Sequence, residues 1–181
     1  KCGYRKVLVP TCSLLFIGWL MLMIVNPPLG RFNRWMSLCL SKMQGGSRLL
    51  LGALLGGMMA TDYGGPINKA AYVSGKLALV DLQYDLMAAV MAGGMVPPLG
   101  LALACMLFPT RFTASERRSV PQTAIMGLSF VTEGALPFAL RDPLRVSPSC
   151  IVGSALAGFL AICLNCRCPA PHGGLFLLPV M

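Results

Sequence analysis

The sequence has little charge. Asp, Glu, Lys and Arg together make up only 12% of its 181 residues, against about 25% in soluble domains. Six residues are acidic and one is histidine. Such a deficit excludes an ordinary water-soluble domain. The fifteen Lys and Arg give a formal charge of +9, but most are dispersed through short loops: Lys1, Arg5 and Lys6, then Arg31, Arg34, Lys42 and Arg48, then Arg111, Arg117 and Arg118, then Arg141 and Arg145. No stripe of interleaved basic and aromatic residues is present, so nucleic-acid binding is excluded. Loop Lys and Arg are what a bilayer selects. Nothing at the start reads as a secretory leader, because Val7–Val25 is long enough to be a span rather than an h-region of about 7–15 residues. No initiator Met precedes Lys1-Cys-Gly-Tyr-Arg5, and this opening reads as a piece of a longer chain.

What the chain does have is long runs without charge. Val7–Val25 offers 19 such residues, Leu86–Phe108 offers 23 and Ser149–Asn165 offers 17. A spanning helix needs about 20. Mean hydropathy is +0.71. The expected fold is all-α: polytopic membrane helices with re-entrant or broken-helix hairpins.

Glu133 stands out against this background. It is the only charged residue from Thr123 to Leu140. A carboxylate at bilayer depth costs roughly 2.5–3.5 kcal/mol or more, so it persists where it faces water, a partner or a substrate. Gly134 and Pro137 follow it, and both favour a break in the helix. Leu49–Ala60 is apolar but short, and it runs into the polar turn Thr61-Asp-Tyr-Gly-Gly-Pro-Ile-Asn-Lys69; it reads as a re-entrant or broken helix, or as a full span completed beyond Asp62 with an ordinary loop. Two apolar, Gly-rich segments that end in polar tips, here Thr61–Lys69 and Ser129–Glu133, are the sequence signature of a transporter site built from discontinuous helices.

The remaining segments read as follows. Asn26-Pro27-Pro28 stops the first span. Residues 31–44 read as an amphipathic helix with Phe32, Trp35, Met36, Cys39, Leu40 and Met43 on one face, lying in the headgroup plane or packed as a short loop helix on the protein. Val73–Asp85 is mixed. Leu86–Phe108 is kinked or split by Gly93-Gly94 and Pro97-Pro98. Pro109–Pro121 is a polar loop on the cytoplasmic side. Asp142-Pro143 caps the last span, in which Gly153, Ser154, Ala157 and Gly158 are small packing residues. Eight cysteines are many, yet most sit in apolar runs as small hydrophobes. Cys163, Cys166, Cys168 and His172 fall within ten residues. They close an apolar helix, however, rather than forming two separated ligand pairs, so no metal and no cofactor are expected.

Four strings carry a family resemblance: Gly64-Gly-Pro-Ile-Asn-Lys-Ala-Ala-Tyr72, Gly127-Leu-Ser-Phe-Val-Thr-Glu-Gly-Ala-Leu-Pro-Phe138, Asp142-Pro-Leu-Arg-Val146 and Pro169-Ala-Pro-His-Gly-Gly174. In this order, from about Pro10 to Val180, the chain resembles the fructose-type membrane component (IIC) of the bacterial phosphotransferase system. That resemblance implies a permease in the cell membrane that binds a sugar outside and presents it inside for phosphorylation. The phosphoryl group would come from a cysteine of a IIB domain, itself charged by a histidine of IIA. Neither domain is visible, so this chain by itself is not expected to phosphorylate a sugar. The stretch 1–181 resembles the C-terminal, sugar-binding half of the IIC domain. The N-terminal helices that related permeases use for dimer contacts are not seen. Thr61-Asp-Tyr63 departs from the Phe-Asp-Met expected there.

With a sugar as the implied substrate, residue chemistry names the candidate sites. Glu133 is the first candidate to accept sugar hydroxyls and a candidate general base for the phosphorylated one. Thr132, Asn68, His172 and Asp62 are further candidates. The plain alternative for Asp62 is a turn or cap residue. Arg141 and Arg145 are candidates for meeting phosphorylated IIB, because guanidinium suits phosphate; their alternative is headgroup anchoring. The implied partners are a fructose-class sugar, phosphorylated IIB, membrane lipid and a second copy of the full-length protein. Residue chemistry alone leaves an ion-coupled transporter open, with Glu133 and Asp62 binding protons or cations, and an inactive truncated permease. Mannosyl-glycerate permeases share the motifs.

Overall fold

A computed structural model of the chain describes residues 3–28, 30–31, 34–35, 38 and 48–177. All regular structure among them is helical, and no strand is present. Helix α1 spans Gly3–Leu20 and continues through a π turn at Met21–Val25. Then come α2 (Arg48–Met59), α3 (Pro66–Val80), α4 (Tyr84–Leu107), α5 (Ala114–Leu128), α6 (Leu136–Arg141) and α7 (Pro143–Cys163). Short 3-10 turns lie at Pro109–Arg111, Thr132–Ala135 and Gly174–Leu177. The expected interfacial helix 31–44 falls mostly outside the described residues.

Three helical segments are long and apolar enough to cross a membrane: Val7–Pro28, Tyr84–Leu107 and Pro143–Cys163. In the first, the described side chains are largely exposed, with Leu14, Leu15 and Met23 each more than 60% accessible. The charge-free sequence of this segment demands lipid or another helix around it. The described span ends within the expected stop, at Pro28. The Asn26 N–H bonds to the Met21 carbonyl, and helix continues to Pro28. A π turn shifts the bonding by one residue and so absorbs the break that the prolines impose.

Helices α4 and α7 run antiparallel. Tyr84 and Asp85, at the start of α4, share a cleft with Asn165 and Arg167, just past the end of α7. Arg111, just past the end of α4, shares another with Arg145 at the start of α7. At 1.5 Å per residue, α4 is about 36 Å long, enough to cross a hydrocarbon core of about 30 Å. By contrast, α2 has 12 residues, which is about 18 Å and only half the way across. It enters beside Asp85, turns at Thr61–Gly65, and α3 returns to the same face. The second hairpin mirrors it. Helix α5 enters from the arginine-rich face, breaks at Ser129–Val131, and α6 returns to that face. From α2 onward the chain therefore reads hairpin, span, hairpin, span, with the two hairpins entering from opposite sides.

Small residues lock the first hairpin to the spans. A methyl group added at Gly56 would collide with the Ser154 carbonyl, and one at Gly93 would lie 2.5 Å from the Gly56 Cα. Gly52 and Gly56 on α2 oppose Ser154 and Gly158 on α7. Both pairs are four residues apart, the small-xxx-small spacing that lets membrane helices approach to backbone contact. Around this crossing Leu51, Leu55, Met59, Met87 and Val90 are almost fully buried.

Of the two readings of Leu86–Phe108, kinked or split, the single span holds: helix α4 is continuous through Pro97 and Pro98. One more expectation changes. Pro109–Pro121 is mostly helix, not loop, because Thr113 and Glu116 form a capping box that starts α5. The Glu116 side chain accepts from the Thr113 N–H at 2.7 Å and its hydroxyl at 2.6 Å, satisfying orphan donors at the helix start. Pro143 occupies the first position of α7 as expected, yet the Asp142 side chain makes no capping bond. It lies instead 3.8 Å from Arg145.

Candidate sugar-binding site between two hairpin tips

The hairpin tips meet beside Gly94. This residue is ten positions into α4, about 15 Å from its start and therefore near mid-membrane. A proline lacks the N–H that would bond the carbonyl four residues back. Pro98 thus leaves the Gly94 carbonyl open, and the Thr132 hydroxyl donates to it at 3.1 Å. Side-chain hydroxyls commonly satisfy backbone groups freed in this way within membranes. The absence of a side chain at Gly94 also admits Phe130, whose Cε2 would lie 2.5 Å from an added methyl. The Pro-Pro pair hence fixes where the second hairpin ends.

The first tip is tied by its own residues. Pro66 opens α3 and has no N–H to satisfy. Both donors that follow go to Asp62: Ile67 N–H to Oδ2 at 2.7 Å and Asn68 N–H to Oδ1 at 2.9 Å. Asn68 Nδ2 donates to the Met59 carbonyl at 2.6 Å, closing the orphan end of α2. Tyr63 and Gly64 take positive φ, 46° and 107°, and the buried Tyr63 ring reaches Ser147 with 3.3 Å between the oxygens. In the second hairpin Phe130 takes φ 64°. Non-glycine residues in this region are uncommon, cost about 1–3 kcal/mol each, and cluster where function constrains the backbone.

Between the tips lies a cleft of about 310 Å³ lined by Met59, Gly64, Asn68, Lys69, Tyr72, Phe130, Val131, Thr132, Glu133 and His172. Glu133 is exposed to it. Its carboxylate presses on Gly64, where an added Cβ would sit 2.5 Å from Oε1. Among the described residues this carboxylate makes no hydrogen bond or ion pair. His172 packs edge-on to Phe130 at 5.3 Å and to Tyr72 at 6.4 Å, and Tyr72 lies 6.1 Å from Phe130. The cleft therefore offers an aromatic wall opposite an open carboxylate.

Of the five candidate binding residues, Glu133, Thr132, Asn68 and His172 come together here. Asp62 does not line the cleft and spends both oxygens on capping α3. Tyr72, Phe130 and Lys69 were not singled out from the sequence. Asn68, Lys69 and Tyr72 fall at helical spacing on α3, a signal the sequence does hold. Phe130 comes from 58 residues further on, and nothing local marks its return to Tyr72.

On the arginine-rich face, Arg111, Phe112, Glu116, Phe138, Arg141, Asp142, Arg145 and Val146 line a second cleft of about 470 Å³. Arg141 pairs with the buried Glu116 at 2.6 Å. Burial opposes ionisation of Glu116, but the Thr113 hydroxyl and N–H, together with the Arg141 charge, overcome it and hold the carboxyl below its ordinary value. Cys163 and Cys166 are exposed, whereas Cys168 is buried with Sγ 3.2 Å from the Ala170 carbonyl. Among the described residues no three His, Cys, Asp or Glu side chains gather as metal ligands.

Fold and site together define a polytopic membrane protein with a polar cleft between two opposed broken-helix hairpins. The chain is 47% identical over 177 residues to the "PTS system fructose-specific EIIB'BC component" of Xanthomonas campestris, covering 97% of this chain and 30% of that protein. It is 46% identical over 177 residues to the "PTS system fructose-specific EIIABC component" of Bacillus subtilis, covering 97% of this chain and 28% of that protein. It is 45% identical over 177 residues to the "Fructose permease IIC component" of Bacillus amyloliquefaciens, covering 97% and 58%. No family model and no solved structure matches the chain. The matches fall in the C-terminal part of these relatives, and the chain spans less than two thirds of their length. Over nearly its whole length the chain is thus similar to the C-terminal part of fructose-specific membrane components of the phosphotransferase system.

Proposed function

We propose that the cleft between the hairpin tips binds a fructose-class sugar, and that the chain acts as the sugar-binding part of a permease whose transport is coupled to phosphorylation. The open Glu133 carboxylate carries this reading. It sits near mid-membrane, in a cleft at the low end of the roughly 300–1,000 Å³ of small-molecule sites. A sugar presents hydroxyls that a carboxylate accepts in pairs. Asn68 and His172 supply further polar atoms, and the Thr132 hydroxyl anchors the tip. The flat apolar face of a pyranose or furanose ring suits the wall of Tyr72, Phe130 and His172.

The names of the relatives support fructose over other sugars, and those carrying IIB in the same chain support phosphorylated IIB as the partner. The second cleft is our candidate for its docking. Arg111, Arg141 and Arg145 outnumber Glu116 and Asp142 there, and guanidinium recognises phosphate. The exposed apolar side of α1 is assigned to lipid and, in the full-length protein, to a second copy. Stretch 1–181 is accordingly the C-terminal part of a IIC domain. The test is fructose binding by the purified, detergent-solubilised chain, with mannitol and glucose as controls. Saturable binding of fructose alone supports the assignment. Equal binding of all three removes its specificity, and binding of none removes the site from this stretch.

A further inference from the structure

Lys69 has no evident task in binding a neutral sugar. It stands next to Asn68 on α3 and lines the same cleft as Glu133. Among the described residues it makes no ion pair and no side-chain hydrogen bond. In particular it is not paired with Glu133, the only acid on the cleft wall. Lys76, two turns on, is occupied differently: its ammonium lies 5.6 Å from the Tyr72 ring centroid and does not line the cleft. One cation and one anion thus face the same space without meeting.

Such a pair fits a ligand that is polar and neutral at one end and anionic at the other. Hydroxyls donate to Glu133, which can only accept. A phosphoryl group brings a charge of about −1.5 to −2 and three acceptor oxygens, which an ammonium with three donors matches. Without that ammonium, the phosphoryl group would face Glu133 across a cleft holding no fixed positive charge. We propose that the cleft also holds the phosphorylated sugar, with the Lys69 ammonium on the phosphoryl oxygens and Glu133 on a hydroxyl. Lys69 is then the residue that sets the balance between free sugar and sugar phosphate. This inference rests on the sugar-binding reading of the same cleft.

The test is competition binding on the detergent-solubilised chain, using fructose, fructose 1-phosphate and inorganic phosphate as probes. Three proteins are compared: the parent, Lys69→Met and Lys69→Arg. Lys69→Met is expected to weaken fructose 1-phosphate at least tenfold more than fructose, and Lys69→Arg to restore most of that difference. Equal weakening of both sugars overturns the inference. So does inorganic phosphate competing as well as fructose 1-phosphate, since the cleft would then read a bare anion. A parent that binds fructose but not fructose 1-phosphate overturns the inference and leaves the sugar reading standing. A parent that binds neither overturns both.

Discussion

The first hairpin tip satisfies its own carboxylate, whereas the second leaves one open. At the first, Asp62 takes the N–H groups of Ile67 and Asn68, and Asn68 takes the Met59 carbonyl. At the second, Thr132 is tied to Gly94, while Glu133 beside it has no partner among the described residues. Both tips contain an acid, and both depend on glycine and proline to break a helix. The contrast shows that an acid at a membrane break is not by that fact a ligand group. What decides is whether local backbone donors already occupy its oxygens. Asp62 is spent on the start of α3, and the Glu133 carboxylate stays open.

Substitutions can break this contrast or sharpen it. The largest effect is expected where the first hairpin meets α7. Gly56→Val drives a branched side chain into the Ser154 carbonyl and Gly158. It should destabilise by about 3 kcal/mol or more, read as loss of monodisperse protein or a large fall in Tm in detergent. Next comes Glu133→Gln. Removing a charged acceptor is worth about 1.5–3 kcal/mol per hydrogen bond, so fructose affinity should fall by about ten- to a hundredfold or more, with Tm nearly unchanged. Gly64→Ala acts on both tips. It forces an alanine to φ 107° and places its methyl 2.5 Å from Glu133 Oε1, which should cost about 1–3 kcal/mol in strain. Fructose affinity should fall with Tm, and a loss of Tm alone would argue against contact between the tips.

Asp62→Ala removes only the cap and should lower stability by about 1–2 kcal/mol, with a smaller effect on affinity than Glu133→Gln. The smallest effect is electrostatic and lies away from the tips. The Glu116 carboxyl is held below its unfolded value of 4.5. Its stabilisation is therefore complete above about pH 4.5 and is lost as the pH falls through the lower folded value. Tm of the parent should drop in that acid range, and Glu116→Gln should flatten the drop while lowering Tm at neutral pH.

The spans and the two breaks were legible because their causes are local. Charge-free runs gave Leu86–Phe108 and Ser149–Asn165, and Gly64-Gly65-Pro66 and Gly134 with Pro137 marked the tips. Pro97-Pro98 left a kinked span and a split one equally open. In the fold their effect is to free the Gly94 carbonyl for Thr132, a partner 38 residues away. Arg111, Arg117 and Arg118 made the start of α5 look like loop, although Thr113-x-x-Glu116 is a capping box on its face. The aromatic wall was out of reach for another reason: Tyr72, Phe130 and His172 are brought together only by the meeting of hairpins from opposite faces.

The central claim is that Glu133 is open to ligand while Asp62 is consumed by the backbone. Fructose titration of the parent, Glu133→Gln and Asp62→Asn, purified side by side in one detergent, tests it most directly. The expected result is saturable binding by the parent and by Asp62→Asn, with none by Glu133→Gln over the same range. Binding by Glu133→Gln equal to that of the parent, or loss confined to Asp62→Asn, would contradict it.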